Sequence, residues 1–277
     1  MLPMSLWESG ESTGEVSLQR LFNDPNYDID GKTSQMTIEK LIHAAARGGW
    51  PASLFIRSPK AQLLIAKNYV RTVCDDDISR IDGCERNSTT ANLLLRSYAR
   101  NISTLAKKTT LLADITASGE HSLSADTFTD YERALEQLFV IKNLDAWSPA
   151  IRSKTAIRSS PKRAFCDPSI AVALLGMSPE ALTVQLKTFG FIFEQMCIRD
   201  LRAYTMDLNS HLSYYHDRYD LEADIVLHLD DGKYALIECK LGSKEIEVGA
   251  EHLLELKRLI QEHNKKEGQM PIREPDL

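Results

Sequence analysis

Two strictly alternating runs, residues 221–229 (LEADIVLHL) and 233–241 (KYALIECKL), flank Asp230-Asp231-Gly232. Alternation at period two is the signature of a half-buried strand. A three-residue connection ending in glycine suits a type I turn closed by a left-handed residue. The pair therefore predicts a β-hairpin. In the first run Leu221, Ala223, Ile225, Leu227 and Leu229 share one face, and Glu222, Asp224, Val226 and His228 the other. In the second, Ala235, Ile237, Cys239 and Leu241 oppose Tyr234, Leu236, Glu238 and Lys240. The loop length sets Asp224 opposite Glu238 and Glu222 opposite Lys240.

Directly opposed residues on one face have Cβ atoms roughly 4.5–5.5 Å apart. Two ionised carboxylates that close repel unless a cation lies between them, and a divalent metal with oxygen ligands is the natural one. Lys240 then steadies developing negative charge or orients a water. The plainer alternative is a lysine that only pairs with Glu222.

The Asp224…Glu238-Cys239-Lys240 pattern resembles the D…ExK core of the PD-(D/E)xK, restriction-endonuclease-like nucleases. The resemblance implies Mg²⁺ held by Asp224 and Glu238, with Lys240 assisting the attacking water. It also implies a further metal-binding glutamate on a preceding helix, here Glu194. That residue interrupts an apolar stripe of Phe191, Cys197, Ile198 and Leu201, where a charge needs a partner or a task.

The 277-residue chain has room for two or three modules, and its net charge of −6 excludes a general polyanion binder. Any contact with nucleic acid must come from a local patch. Five scattered cysteines without zinc-ligand spacing suit a reducing cytosol. No apolar run is long enough to span a bilayer and no signal peptide opens the chain, so a cytoplasmic location and no membrane partner are expected. Gly31-Lys32-Thr33 imitates the end of a phosphate-binding loop, but Asn26 stands where the upstream glycine is required.

Helices are predicted over 37–47 and 58–73, the latter opened by Ser58-Pro59. The acidic run Asp75-Asp76-Asp77 then reads as a solvated hinge or cap. Helices over 91–105, 109–115 and 125–139, followed by a ribbon of 140–144 with 163–166, make a winged helix-turn-helix pattern. Its wing, 151–163, carries Arg152, Lys154, Arg158, Lys162 and Arg163 without an acid. Such a segment suits phosphate contacts, which position a protein on nucleic acid without reading sequence. A solvated loop, or one docked on an acidic module, is the alternative. The helix 125–139 carries Asp126, Asp130, Glu132 and Glu136, which argues against its lying in a major groove. Asp167-Pro168-Ser169 opens the last module, which continues with the Glu194 helix, a strand over 211–216, the hairpin, and an amphipathic helix over 247–263. The tail from 268 to 277 has no predicted structure.

Nearly the whole chain resembles prokaryotic AAA-type P-loop ATPases that carry a C-terminal nuclease-like domain of unknown function. The resemblance rests on LPMSLWESGES (2–12), VSLQRLF (16–22), RGGWP (47–51), DISRID (77–82), LLRSYARN (94–101), SPKRAFCDPS (160–169), FGFIFE (189–194), EAD (222–224) and IECKLG (237–242), in that order. Walker A and Walker B segments are absent, so the chain corresponds to the part of such a protein C-terminal to them and is expected not to bind ATP alone. The resemblance further implies a fragment, split gene product or truncated gene model, with the last sheet short of an edge.

The expected fold is α+β. It comprises a helical ATPase-lid remnant (1–78), a winged-helix-like domain (79–166), a PD-(D/E)xK-like α/β module (167–267) and a disordered tail (268–277). Three functions compete. One is a Mg²⁺-dependent nuclease acting on DNA, with Asp224, Glu238 and Lys240 catalytic and Glu194, Asp224 and Glu238 holding metal. The second is an inactive module that binds nucleic acid or protein. The third is a regulatory remnant that needs a P-loop ATPase partner in trans.

Overall fold

In a computed structural model of the chain, residues 2–24, 26–117, 123–149, 158–217 and 221–266 are described. Short polar residues before the apolar runs start the helices. Thr37, Asn87, Ser124, Asp167 and Ser178 each accept a backbone N–H of the first turn, which satisfies a donor the helix itself cannot. The helical elements in order are α1 (Leu18–Asn23), α2 (Ile38–Arg47), α3 (Pro59–Gln62), α4 (Leu64–Thr72), α5 (Ile78–Arg80), α6 (Ser88–Arg100), α7 (Lys108–Ala117) and α8 (Ala125–Gln137). After strand β1 (Asp145–Ala146) come α9 (Pro168–Leu175), α10 (Pro179–Val184) and α11 (Leu186–Tyr204). Strands β2 (Ser210–His216), β3 (Glu222–Leu229) and β4 (Tyr234–Ile237) precede α12 (Ser243–Lys266). The fold is α+β, with helices predominating and one mixed four-stranded sheet.

The helix expected over 58–73 is divided between α3 and α4. The acidic run after it is no hinge: Val73–Asp77 forms a π-helical turn that carries α4 into α5. The largest apolar cluster draws on α2, α4, α6, α7, α8, α9 and α11. Ile78 of α5 and Ile170 of α9 both belong to this core. Among the described residues no helix is long and apolar enough to cross a membrane.

The expected ribbon forms as antiparallel bridges Ile141↔Phe165 and Leu144↔Lys162. One arm runs on into β1, which pairs in parallel with β2. The sheet order is β1-β2-β3-β4, with antiparallel pairing from β2 onwards. Leu229 N donates to Lys233 O, Gly232 N donates to Leu229 O, and Gly232 has φ 88°. The hairpin turn is therefore the predicted three-residue loop. Ile225↔Ile237 and Val226↔Leu236 give the predicted register.

Strand β3 departs from the expected half-buried pattern, because helices cover both faces. On one side Ile225 packs with Ile198 of α11 and Tyr214. On the other, Ala223 and Val226 pack with Leu256 and Ile260 of α12. Ala223 and Val226 are three residues apart yet share a face, so simple alternation fails between them. The cause is a register shift against β2: Ser213 pairs with Val226 and Tyr215 with Ala223. Asp224 and Ile225 together oppose Tyr214 alone. Such a bulge re-aims side chains and is common beside functional sites.

Candidate metal centre

Asp224 sits in the bulge. Its Oδ2 accepts the Cys239 backbone N–H at 2.9 Å, while its Oδ1 lies 3.5 Å from Lys162 Nζ. One carboxylate oxygen of each of Glu222, Asp224 and Glu238 falls within 4.8 Å of the others. Glu222 lies at the exposed mouth and Asp224 is buried. Lys240 Nζ is 2.6 Å from Glu238 Oε2 and 3.6 Å from Asp224 Oδ2. The buried Oε2 has this ion pair and no hydrogen bond of standard geometry. Lys240 thus pairs with Glu238 rather than with Glu222.

Glu194 comes from α11, buried beneath the sheet. It is not part of the three-carboxylate group. Its Oε1 instead accepts from Lys162 Nζ at 2.6 Å, and the same ammonium donates to Asp224 O at 2.9 Å. Lys162 reaches this point because its backbone pairs in both directions with Leu144 on the ribbon.

The electrostatics follow from too many acids in a dry place. Burial pushes the Glu194 carboxyl up to about 8, against the pull of Lys162. Burial likewise pushes Glu238 up to about 7, with the Asp224 charge adding and Lys240 opposing. Asp224 is also penalised by burial, but Lys162, the Cys239 N–H and Lys240 together hold it below the ordinary range. Asp224 wins the competition because two ammonium groups and a backbone donor serve it. Burial disfavours the charged form of Lys240, yet Glu238 and Asp224 raise its pKa above the usual lysine value. Lys240 is therefore a fixed cation and donor.

The donor set fits a divalent ion that prefers oxygen. Three carboxylates converge, one offers a buried oxygen without a hydrogen bond, and the local acids exceed the local cations. The group opens onto a groove of about 920 Å³, lined in part by Lys187, Phe191, Tyr215 and His216.

The basic segment behaves differently from its expectation. Lys162 and Arg163 are buried, 6% and 3% exposed, and so are not surface phosphate contacts. Arg163 binds Tyr98 Oη, Glu132 Oε1 and Ala106 O at 2.9 Å each, tying the ribbon to α6 and α8. Arg158 is exposed. Arg152 and Lys154 lie outside the described residues. The acids of α8 that argued against groove binding have internal work: Asp130 meets Arg86 at 3.0 Å and Glu132 meets Arg163.

Sequence reasoning gave two site residues other roles, Glu222 as a partner of Lys240 and Lys162 as a phosphate contact. Glu222 carried a signal, since it lies two positions before Asp224 on the predicted polar face. Lys162 carried a weaker one, the change from a basic run to the apolar pair Ala164-Phe165 directly after it.

No curated protein and no solved structure matches the chain. Two family models do: domain of unknown function DUF8612 over residues 38–181 and domain of unknown function DUF4143 over residues 189–272. Lys162 falls in the first segment, and Glu194, Glu222, Asp224, Glu238 and Lys240 in the second. With more than half of its length matched by the first model, the chain belongs to the DUF8612 family, and a DUF4143 segment completes its candidate site.

Proposed function

We propose that the groove binds a divalent cation, Mg²⁺ or Mn²⁺, through Glu222, Asp224 and Glu238, and hydrolyses phosphodiester bonds of DNA. The observation that carries this reading is the convergence of three carboxylate oxygens within 4.8 Å beside Lys240. When bound, such an ion acidifies water and offsets charge on a phosphoryl group. Lys240, held protonated, orients the attacking water and stabilises negative charge on the phosphate. It does not serve as the base. In the reaction the water gives up a proton to solvent as its oxygen bonds to phosphorus, the bond to the leaving oxygen breaks, and that oxygen takes up a proton from solvent. Lys187 on the groove lining and the exposed Arg158 are candidate phosphate contacts for a strand of nucleic acid.

Domains of the kind matched at 189–272 often follow AAA ATPase domains. This supports the reading that the chain is the C-terminal portion of an AAA-type protein. Without Walker motifs in its sequence, it does not bind ATP alone and acts with a P-loop chain or domain in trans.

One observation favours a second reading. Lys162 and Lys240 already neutralise much of the cluster, as in an inactive scaffold that binds nucleic acid or a protein partner. The test is cleavage of labelled plasmid and linear DNA by the folded chain in Mg²⁺ or Mn²⁺, beside Lys240→Ala and Glu238→Ala. Metal-dependent cutting lost in both variants supports the nuclease. No cutting by a folded chain that still binds DNA supports the scaffold.

A further inference from the structure

Asp224 divides its oxygens between two cation positions. Oδ2 faces Lys240, which also meets Glu238 Oε2. Oδ1 faces a second position, bounded by Glu194 Oε1 and the Asp224 carbonyl. A carboxylate shared in this way, with a further carboxylate beyond each oxygen, is the arrangement of a two-ion phosphoryl-transfer site. Here the second position already holds a cation, the Lys162 ammonium, at 2.6 Å from Glu194, 2.9 Å from the carbonyl and 3.5 Å from Oδ1. Its side chain is only 8% exposed, and its backbone is fixed on both sides to Leu144. A divalent ion cannot enter without expelling it.

We infer that Lys162 is a built-in counter-cation standing in for a second metal ion, so the site takes one divalent ion and Glu194 is not a ligand. This rests on the proposal that Glu222, Asp224 and Glu238 hold a metal. It gives Glu194 a different role from the one its resemblance implied: it positions Lys162, which in turn orients Asp224. It also explains why the site spans both family segments. The 38–181 segment supplies the lysine that completes the charge balance of carboxylates supplied by 189–272. A 189–272 segment without that lysine would be left with Glu194 and Asp224 facing each other across a vacant position.

The test counts Mn²⁺ bound per full-length chain by electron paramagnetic resonance, with folding followed by circular dichroism. The wild type is expected to take one ion, Lys162→Met two, and the double variant Lys162→Met/Glu194→Gln one. Should Lys162→Met fold only when Mn²⁺ is present, while the double variant folds without it, the same conclusion follows. Two ions in the wild type overturn the inference, as does one ion in both wild type and a folded Lys162→Met. No ion in the wild type instead overturns the metal reading itself. As a check on positioning, Glu194→Gln should leave the wild-type count of one ion unchanged. A loss of that ion would make Glu194 a ligand and contradict the assignment.

Discussion

The helical half and the sheet half of this protein handle buried charge in opposite ways. In the helical half arginines meet carboxylates in closed networks. Arg86 binds Asp82 at 2.7 Å and Asp130 at 3.0 Å, and Arg47 grips both oxygens of Glu11. Arg199 lies between Asp167 and Asp200, all three buried. Asp167 also caps α9 and accepts the Gly49 N–H, and Asp200 accepts the Leu6 N–H. Guanidinium forks match carboxylates geometrically, so few valences remain open. In the sheet half four carboxylates meet two lysines, which are point charges, and one carboxylate oxygen has no hydrogen bond. Carboxylates are closed off by arginine forks in one region, and in the other they meet lysines and keep an oxygen without a hydrogen bond.

Substitution in the closed networks should be the costliest. Arg199→Met leaves Asp167 and Asp200 buried without their cation, and should destabilise by about 3–5 kcal/mol. Urea unfolding checks this, and the loss should be the same with and without Mn²⁺. A loss below about 1 kcal/mol would break the comparison, since it would make these networks as slack as the sheet cluster.

In the open cluster, removing a charge should help the metal-free protein. The folded-state values of Glu194 and Glu238 lie above the ordinary carboxyl range, at about 8 and about 7. The folded chain therefore holds protons that the unfolded chain has released. This contribution is intact below the ordinary glutamate pKa of 4.5 and is lost as pH rises through the raised values. Thermal unfolding in EDTA should fall across that window, and Glu238→Gln should flatten its lower part. The difference at pH 8 should be on the order of 2 °C, because Glu238 is partly solvated. A variant less stable than wild type at pH 8 would mean that Glu238 is as well satisfied as the acids of the helical half.

The smallest effect concerns the surface. Arg158→Ala should leave stability within about 0.5 kcal/mol. If DNA runs over this edge, the variant should also lower the salt dependence of DNA binding by about one unit of slope. An unchanged slope in a fluorescence-anisotropy titration would remove Arg158 from the interface.

The legible parts of the fold were those governed by local rules. Asp230-Asp231-Gly232 dictated the turn, and the turn dictated which carboxylates face each other. Thr37 and Asp167 announced helix starts through their own backbone chemistry. The bulge could not be read, because the run 221–229 keeps perfect alternation and only the pairing with β2 disturbs it. Val226, Tyr234 and Leu236 on the supposedly polar face were the traces of the α12 layer. Lys162 was legible as a charge but not as a buried one, since its burial depends on how the ribbon docks between α11 and the sheet. Glu194 was found as an anomaly in an apolar stripe, while its partner, 32 positions earlier, was not.

An open cation site in the bulged hairpin is the central claim. A calorimetric titration of Mn²⁺ into the folded chain at pH 8, repeated at pH 6 and with Asp224→Asn, tests it most directly. Saturable binding is expected at pH 8, weaker binding at pH 6, where protons compete for Glu238, and none in Asp224→Asn. Absence of binding by the folded wild type, or binding that Asp224→Asn leaves unchanged, would contradict it.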